Sequence, residues 1–157
     1  MRKTYKGLIT ELPENGIFVF GSNTQGRHGK GAALVAKQRF GAIYGQFKGL
    51  QGRSYAIVTK DLTKSQHPSI KLISIIYQIY ELYKFAEEHP ELDFYIIYSG
   101  NGQNLNGYSN EKLAWAFSDR GTILFRRGEN VPNNIVFEEE FNKLVFNEER
   151  SSSTTSN

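Results

Sequence analysis

The chain has 157 residues, 39% of them hydrophobic and 22% charged, with a formal net charge of +3 and a pI near 9.0. That is the size and polarity of one folded domain with a real core. The absence of cysteine excludes a disulfide frame, a thiol nucleophile and a thiolate metal site, and the mild, scattered positive charge is not a nucleic-acid footprint.

Residues 4–9 suit a short edge strand, and Pro13-Glu14-Asn15-Gly16 is a turn signal. Residues 17–21, IFVFG, are long enough for a buried strand. They break into SNTQGRHGKG, a loop that holds Gly26, Gly29 and Gly31, and from Lys30 or Gly31 the sequence turns helical toward Phe40. Gly41 stands where a helix C-terminus favours a left-handed residue. Strand, glycine-rich loop and helix in that order aim backbone N–H groups and a helix N-terminus at one spot, which suits a phosphate. The alternative is a tight turn and nothing more. The spacing matches neither GxGxxG nor GxxxxGK[ST].

Residues 43–54 contain Gly45, Gly49 and Gly52 and read as a long loop, either a flexible connection or a pocket wall. Residues 54–59, SYAIVT, predict a second strand that ends at Lys60-Asp61. From Ile70 apolar residues recur at threes and fours, which predicts a helix of about five turns. It stops near His89-Pro90, because proline disfavours helix in the residue before it. His89 reads as a helix-end residue. Residues 93–98, DFYIIY, predict a third strand. It runs into a second glycine- and amide-rich loop, SGNGQNLNGY, at residues 99–108. Ser109 reads as the N-cap of a further helix. Residues 122–125 read as a short strand or hairpin arm, and residues 134–137 as the last strand. Glu138-Glu139-Glu140 opens a closing helix, with carboxylates at its positive end.

Strands alternating with helices predict an α/β fold, a mostly parallel sheet covered on both faces. Ligands on such sheets bind where loops leave the C-terminal ends of the strands. Both glycine-rich loops leave strands there, so they are expected to face one another across one cleft. Residues 1–147 read as a single domain and residues 148–157, EERSSSTTSN, as a solvated tail. No apolar run approaches a membrane span and MRKTYKG has no signal-peptide core, so the expected location is cytoplasmic.

Two blocks carry a resemblance. FVFGSNTQGRHGKGAALVAKQRFGAIYGQFKGLQGRSYAIVTKD is similar to a phage and bacterial branch of the macro-domain superfamily. So is FAEEHPELDFYIIYSGNGQNLNGYSNEKLAWAF followed by NIVFEEEF, in order over most of residues 16–141. The resemblance implies a three-layer α/β/α sandwich with a mixed, mostly parallel sheet, which binds ADP-ribose or a close relative. If the chain is phage-encoded, the cytoplasm is the host's. The first loop (Gly21, Ser22, Gly26, Gly29, Lys30, Gly31 and Ala32) would then wrap the distal ribose and its adjoining phosphate. Asn23 would hydrogen-bond the ribose hydroxyls. The second loop (Ser99, Gly100, Asn101, Gly102, Gln103, Asn104 and Tyr108) would hold the diphosphate. Val58-Thr59-Lys60 resembles the strand-end motif of a lysine-using, de-ADP-ribosylating branch. Two departures stand out. SGNGQNLNGYS is longer and richer in amides than the IGCGLAGYS of near relatives. The aspartate that acts with the lysine in that branch is replaced in this region by Asn104 and Asn106.

The candidate catalytic residues are Asn23, Lys60, Asp61 and His28. Asn23 either binds the ribose or caps the loop. His28 is a ligand donor, a phosphate-pairing cation or a base, or else a surface loop residue. Lys60 is a nucleophile or a solvated strand-end lysine, and Asp61 an acid/base group or a turn residue. Tyr108 stacks on a ligand ring or closes its loop onto the core. His28, His67 and His89 lie on separate segments, so no metal site is expected, and the reading needs no cofactor. The expected partner is an ADP-ribose-type small molecule or an ADP-ribosylated macromolecule, with no membrane and no strong nucleic-acid signal. Two functions follow. One is hydrolysis of an ADP-ribose derivative at the distal ribose, either ADP-ribose 1″-phosphate or an ADP-ribosyl adduct. The other is capture of such a nucleotide without turnover.

Overall fold

Alternation along the central strands decides the architecture. The computed structural model describes residues 2–98 and 104–147. In chain order its elements are β1 (Thr4–Tyr5), β2 (Gly16–Asn23), α1 (Gly31–Arg39), β3 (Gly49–Gln51), β4 (Ser54–Lys60), α2 (Leu72–Glu88), β5 (Asp93–Ile96), α3 (Asn110–Phe117), α4 (Ile123–Arg126), β6 (Ile135–Glu138) and α5 (Glu139–Phe146). They build one six-stranded sheet in the order β1-β6-β5-β2-β4-β3. Every pairing is parallel except that of β3 with β4.

Successive strand residues face opposite sides. Ile17 and Val19, Tyr55 and Ile57, Phe94 and Ile96, and Ile135 and Phe137 meet α2, α3 and α5 on one face. Phe18, Phe20 and Ala56 meet Ala33, Ala36 and Phe40 on the other, with Ile9 and Leu12 packed against them. The result is the three-layer α/β/α arrangement expected from the sequence. Phe18, Phe94 and Phe137 are essentially fully buried, and each contributes about 1.5–3 kcal/mol by leaving water.

Local chemistry sets the element ends. Gly41, just past α1, takes φ +76, as its position after the helix suggested. The Ser109 hydroxyl accepts the Lys112 N–H and caps α3. The Glu138 carboxylate accepts the N–H groups of Glu140 and Phe141 at 2.7 and 3.0 Å and caps α5. The outer edge of β4 runs past its short neighbour β3. There the buried Gln78 of α2 stands in for a strand, accepting the Val58 N–H at 2.7 Å and donating to the Val58 carbonyl at 2.9 Å.

Expectations for several segments are corrected. Residues 43–54 are not loop throughout: they carry β3, an edge strand too short and too glycine-rich to show a two-residue period. Residues 122–125 are not a strand or hairpin arm, because Ile123–Arg126 forms one helical turn. A four-residue apolar run does not distinguish helix from strand. Here Phe125 packs on Tyr77 and Tyr80 of α2, and the buried Arg126 reaches Glu87 and the Asn130 carbonyl, which fixes the helical turn. The lead-in is strand only over Thr4–Tyr5. No helix among the described residues is long and apolar enough to cross a membrane.

Candidate functional site

β2 and β4 are the adjacent central strands whose C-terminal ends carry the candidate residues. Their register sets Asn23 beside Lys60, after an irregularity between Ser22 and Asn23. Over that end of the sheet lies a cleft of about 860 Å³, within the roughly 300–1,000 Å³ usual for small-molecule sites. Gly29, Lys30, Gly31 and Ala32 line it from the first loop, and Asn104, Leu105 and Asn106 from the second. The two loops do face one another across a single cleft, with Gly21, Asn23 and Lys60 also bordering it.

The charge lining this cleft has one sign. Arg27, Lys30 and Lys60 are its only charged residues, and no carboxylate lines it among the described residues. None of the three is in an ion pair among the described residues. Beside them, α1 starts at Gly31 with no side-chain cap and no acidic residue in its first turn. The first N–H groups of a helix lack intrahelical partners and carry the positive end of its dipole. A concave, largely apolar site with three unneutralised cations and an uncapped helix start is suited to an anion that also has an apolar portion.

Asn23 serves the loop first. Its Oδ1 accepts the N–H groups of Gln25 and Arg27, both at 3.2 Å, and so holds the turn that brings Arg27 to the cleft. Its Nδ2 makes no hydrogen bond among the described residues. Gly26 turns away from the cleft. A Cβ there would stand 2.8 Å from the Gly45 carbonyl carbon, so this glycine is required by the packing of residues 45–46 at φ +63. Gly29 has open space where a Cβ would be. Ser22 is buried and does not line the cleft.

His28, Asp61 and Tyr108 are placed outside the cleft. His28 is fully buried beneath the first loop, its ring edge-on to Phe20 at 5.1 Å. The Asp61 carboxylate accepts the N–H and hydroxyl of Thr63 at 2.9 and 2.7 Å and closes its own turn. Those bonds hold its carboxyl below the ordinary carboxylate range. Lys60 lines the cleft and Asp61 does not. Tyr108 donates its hydroxyl to the Ile70 carbonyl and ties the second loop to the segment before α2; burial raises its phenol. Asn104 donates to the Tyr108 carbonyl and to Asn110 Oδ1 at 2.8 and 3.0 Å, stiffening the loop from within while still lining the cleft. Ser99, Gly100, Asn101, Gly102 and Gln103 lie outside the described residues.

Sequence reasoning missed three contributors. Arg27 sits inside the glycine-rich loop and lines the cleft, a position its sequence neighbours made readable. Tyr98, two residues past the end of β5, lines the cleft, its ring 5.3 Å from Phe141, and burial raises its phenol. Gly7, Leu8 and Ile9 of the lead-in also border the cleft, which nothing in their local pattern announces. Among the described residues there is no group of His, Cys, Asp and Glu able to hold a metal ion. Comparison with protein-family models, with curated proteins and with solved structures gave no match.

Proposed function

We propose that the cleft captures ADP-ribose or a closely related nucleotide, with the diphosphate between the two loops. The observation that carries this reading is that the charged side chains lining the cleft among the described residues, Arg27, Lys30 and Lys60, are all basic, over the C-terminal ends of β2 and β4. The resemblance of the two glycine-loop blocks to macro domains supplies the identity of the anion. Apolar lining from Ile9, Phe20 and Val35 gives the rest of the nucleotide an apolar surface. A nitrogen-15 NMR titration with ADP-ribose tests the reading. Shifts should concentrate at Gly29, Gly31, Lys60 and Asn104. Shifts scattered over the surface, or none, would refute it.

A second reading, hydrolysis at the distal ribose, is favoured by one observation: Lys60 is registered directly beside Asn23. In this reading Lys60, once its amine is neutral, attacks the anomeric carbon of a ribose that Asn23 orients. Capture remains the better supported of the two, since neither His28 nor Asp61 lines the cleft to act as a general base. Incubation with ADP-ribose 1″-phosphate and with an ADP-ribosylated protein separates the two readings. Capture leaves both substrates intact, whereas turnover abolished by Lys60→Ala favours hydrolysis.

A further inference from the structure

The first ligand loop is fastened from behind by a buried hydrogen-bond clamp. His28 takes φ +47, a left-handed backbone that histidine tolerates better than most side chains, and it is fully buried. Its Nε2 stands 3.1 Å from both the Gln46 carbonyl and Gln51 Oε1. The orientation of Gln51 is fixed independently. Its Oε1 accepts the Ile43 N–H at 2.7 Å, and its Nε2 donates to the Gln46 carbonyl at 3.0 Å. Both neighbours of His28 Nε2 are therefore acceptors, so that nitrogen carries the proton and donates. Nδ1 is left buried without a partner among the described residues. A second fastening lies two residues earlier, where Gly45 N–H donates to the Gly26 carbonyl at 2.8 Å. The loop between Asn23 and α1 is thus held to residues 43–51 at Gly26 and His28, while Arg27 and Gly29, the immediate neighbours of His28, line the cleft.

We propose that His28 is a positioning residue for the anion loop. Through Gln51 and the Gln46 carbonyl it holds the backbone of residues 27–31 in the shape that presents Arg27, Gly29 and Lys30 to the ligand. Its tolerance of the left-handed backbone and its buried donor serve that geometry, and the imidazole takes no part in contact with the ligand. That the loop serves a nucleotide rests on the reading above; the clamp itself does not.

Amide hydrogen exchange on the ligand-free full chain, paired with ADP-ribose titration, tests the proposal. His28→Gly keeps the left-handed backbone without strain and removes the donor. His28→Gln returns a donor near the position of Nε2. Gln51→Leu removes the side-chain acceptor from the opposite end. Exchange at residues 27–32 should quicken by about tenfold in His28→Gly and in Gln51→Leu, the scale of one or two lost hydrogen bonds. β2 and β5 should keep their protection, and His28→Gln should recover most of the loop's. ADP-ribose affinity should fall and recover in the same order. Unchanged loop exchange in His28→Gly and Gln51→Leu would overturn the proposal. So would uniform loss of protection across the sheet, or loss of folding in both, since either makes the network a general core feature. If the wild-type chain does not bind ADP-ribose, the nucleotide reading fails and the exchange pattern still decides the clamp.

Discussion

At the scale of single residues, the cleft separates side chains that line it from those that build the loops around it. Arg27, Lys30 and Lys60 line it and are unpaired among the described residues, whereas Asp61 is committed to Thr63. Replacing any one of the three cations with alanine should weaken ADP-ribose binding about tenfold, the lower end of what a charge-assisted hydrogen bond is worth. Added salt should weaken the wild type in the same direction. Asp61→Asn should bind like the wild type in the same fluorescence or calorimetric titration. A loss there equal to that of Lys60→Ala would show that the carboxylate acts in the cleft after all. The glycines divide in the same way. Gly29→Val should keep the melting temperature within a few degrees and lose most binding, because the new side chain enters the open cleft. Gly26→Val meets backbone at 2.8 Å in a left-handed conformation and should lower the melting temperature sharply.

At the scale of elements, the C-terminal end of β4 is held in place by α2. Gln78→Leu would leave the Val58 N–H and carbonyl unpaired at the outer edge of the sheet. Each orphaned buried group costs about 1–3 kcal/mol, so urea unfolding should show a loss of about 2 kcal/mol or more. A change near zero would mean that water replaces the amide. Which elements were readable follows from how local their causes are. IFVFG followed by glycines and then AALVA declares strand, loop and helix within its own sequence, and Ser109 declares a cap. β3 and α4 do not, because a three-residue edge strand and a four-residue turn are fixed by partners elsewhere in the chain. β3 exists through Ser54 to Ala56 opposite it, and α4 through Phe125 meeting Tyr77 and Tyr80. The burial of His28 was hidden for the same reason: its acceptors, at positions 46 and 51, lie about twenty residues downstream, in a stretch that reads as loop.

At the scale of the whole molecule, the parallel order of β6, β5, β2 and β4 brings the loops after β2 and β5 to the same end of the sheet. The location of the cleft was legible from that logic alone. Its electrostatic character was only half legible, since Arg27 and Lys30 are adjacent in sequence to the glycines while Lys60 joins them through the register of β4 on β2. A cleft of about 860 Å³ whose charged lining among the described residues is all basic should take one nucleotide diphosphate per chain without help from a divalent cation. Isothermal titration calorimetry with ADP-ribose, run with and without EDTA, tests this most directly. The account predicts one saturable site per chain, the same affinity in both buffers, and loss of the heat signal in an Arg27→Ala/Lys30→Ala double variant that remains folded by circular dichroism. No heat at millimolar ligand, binding abolished by EDTA, or full binding by the folded double variant would contradict it.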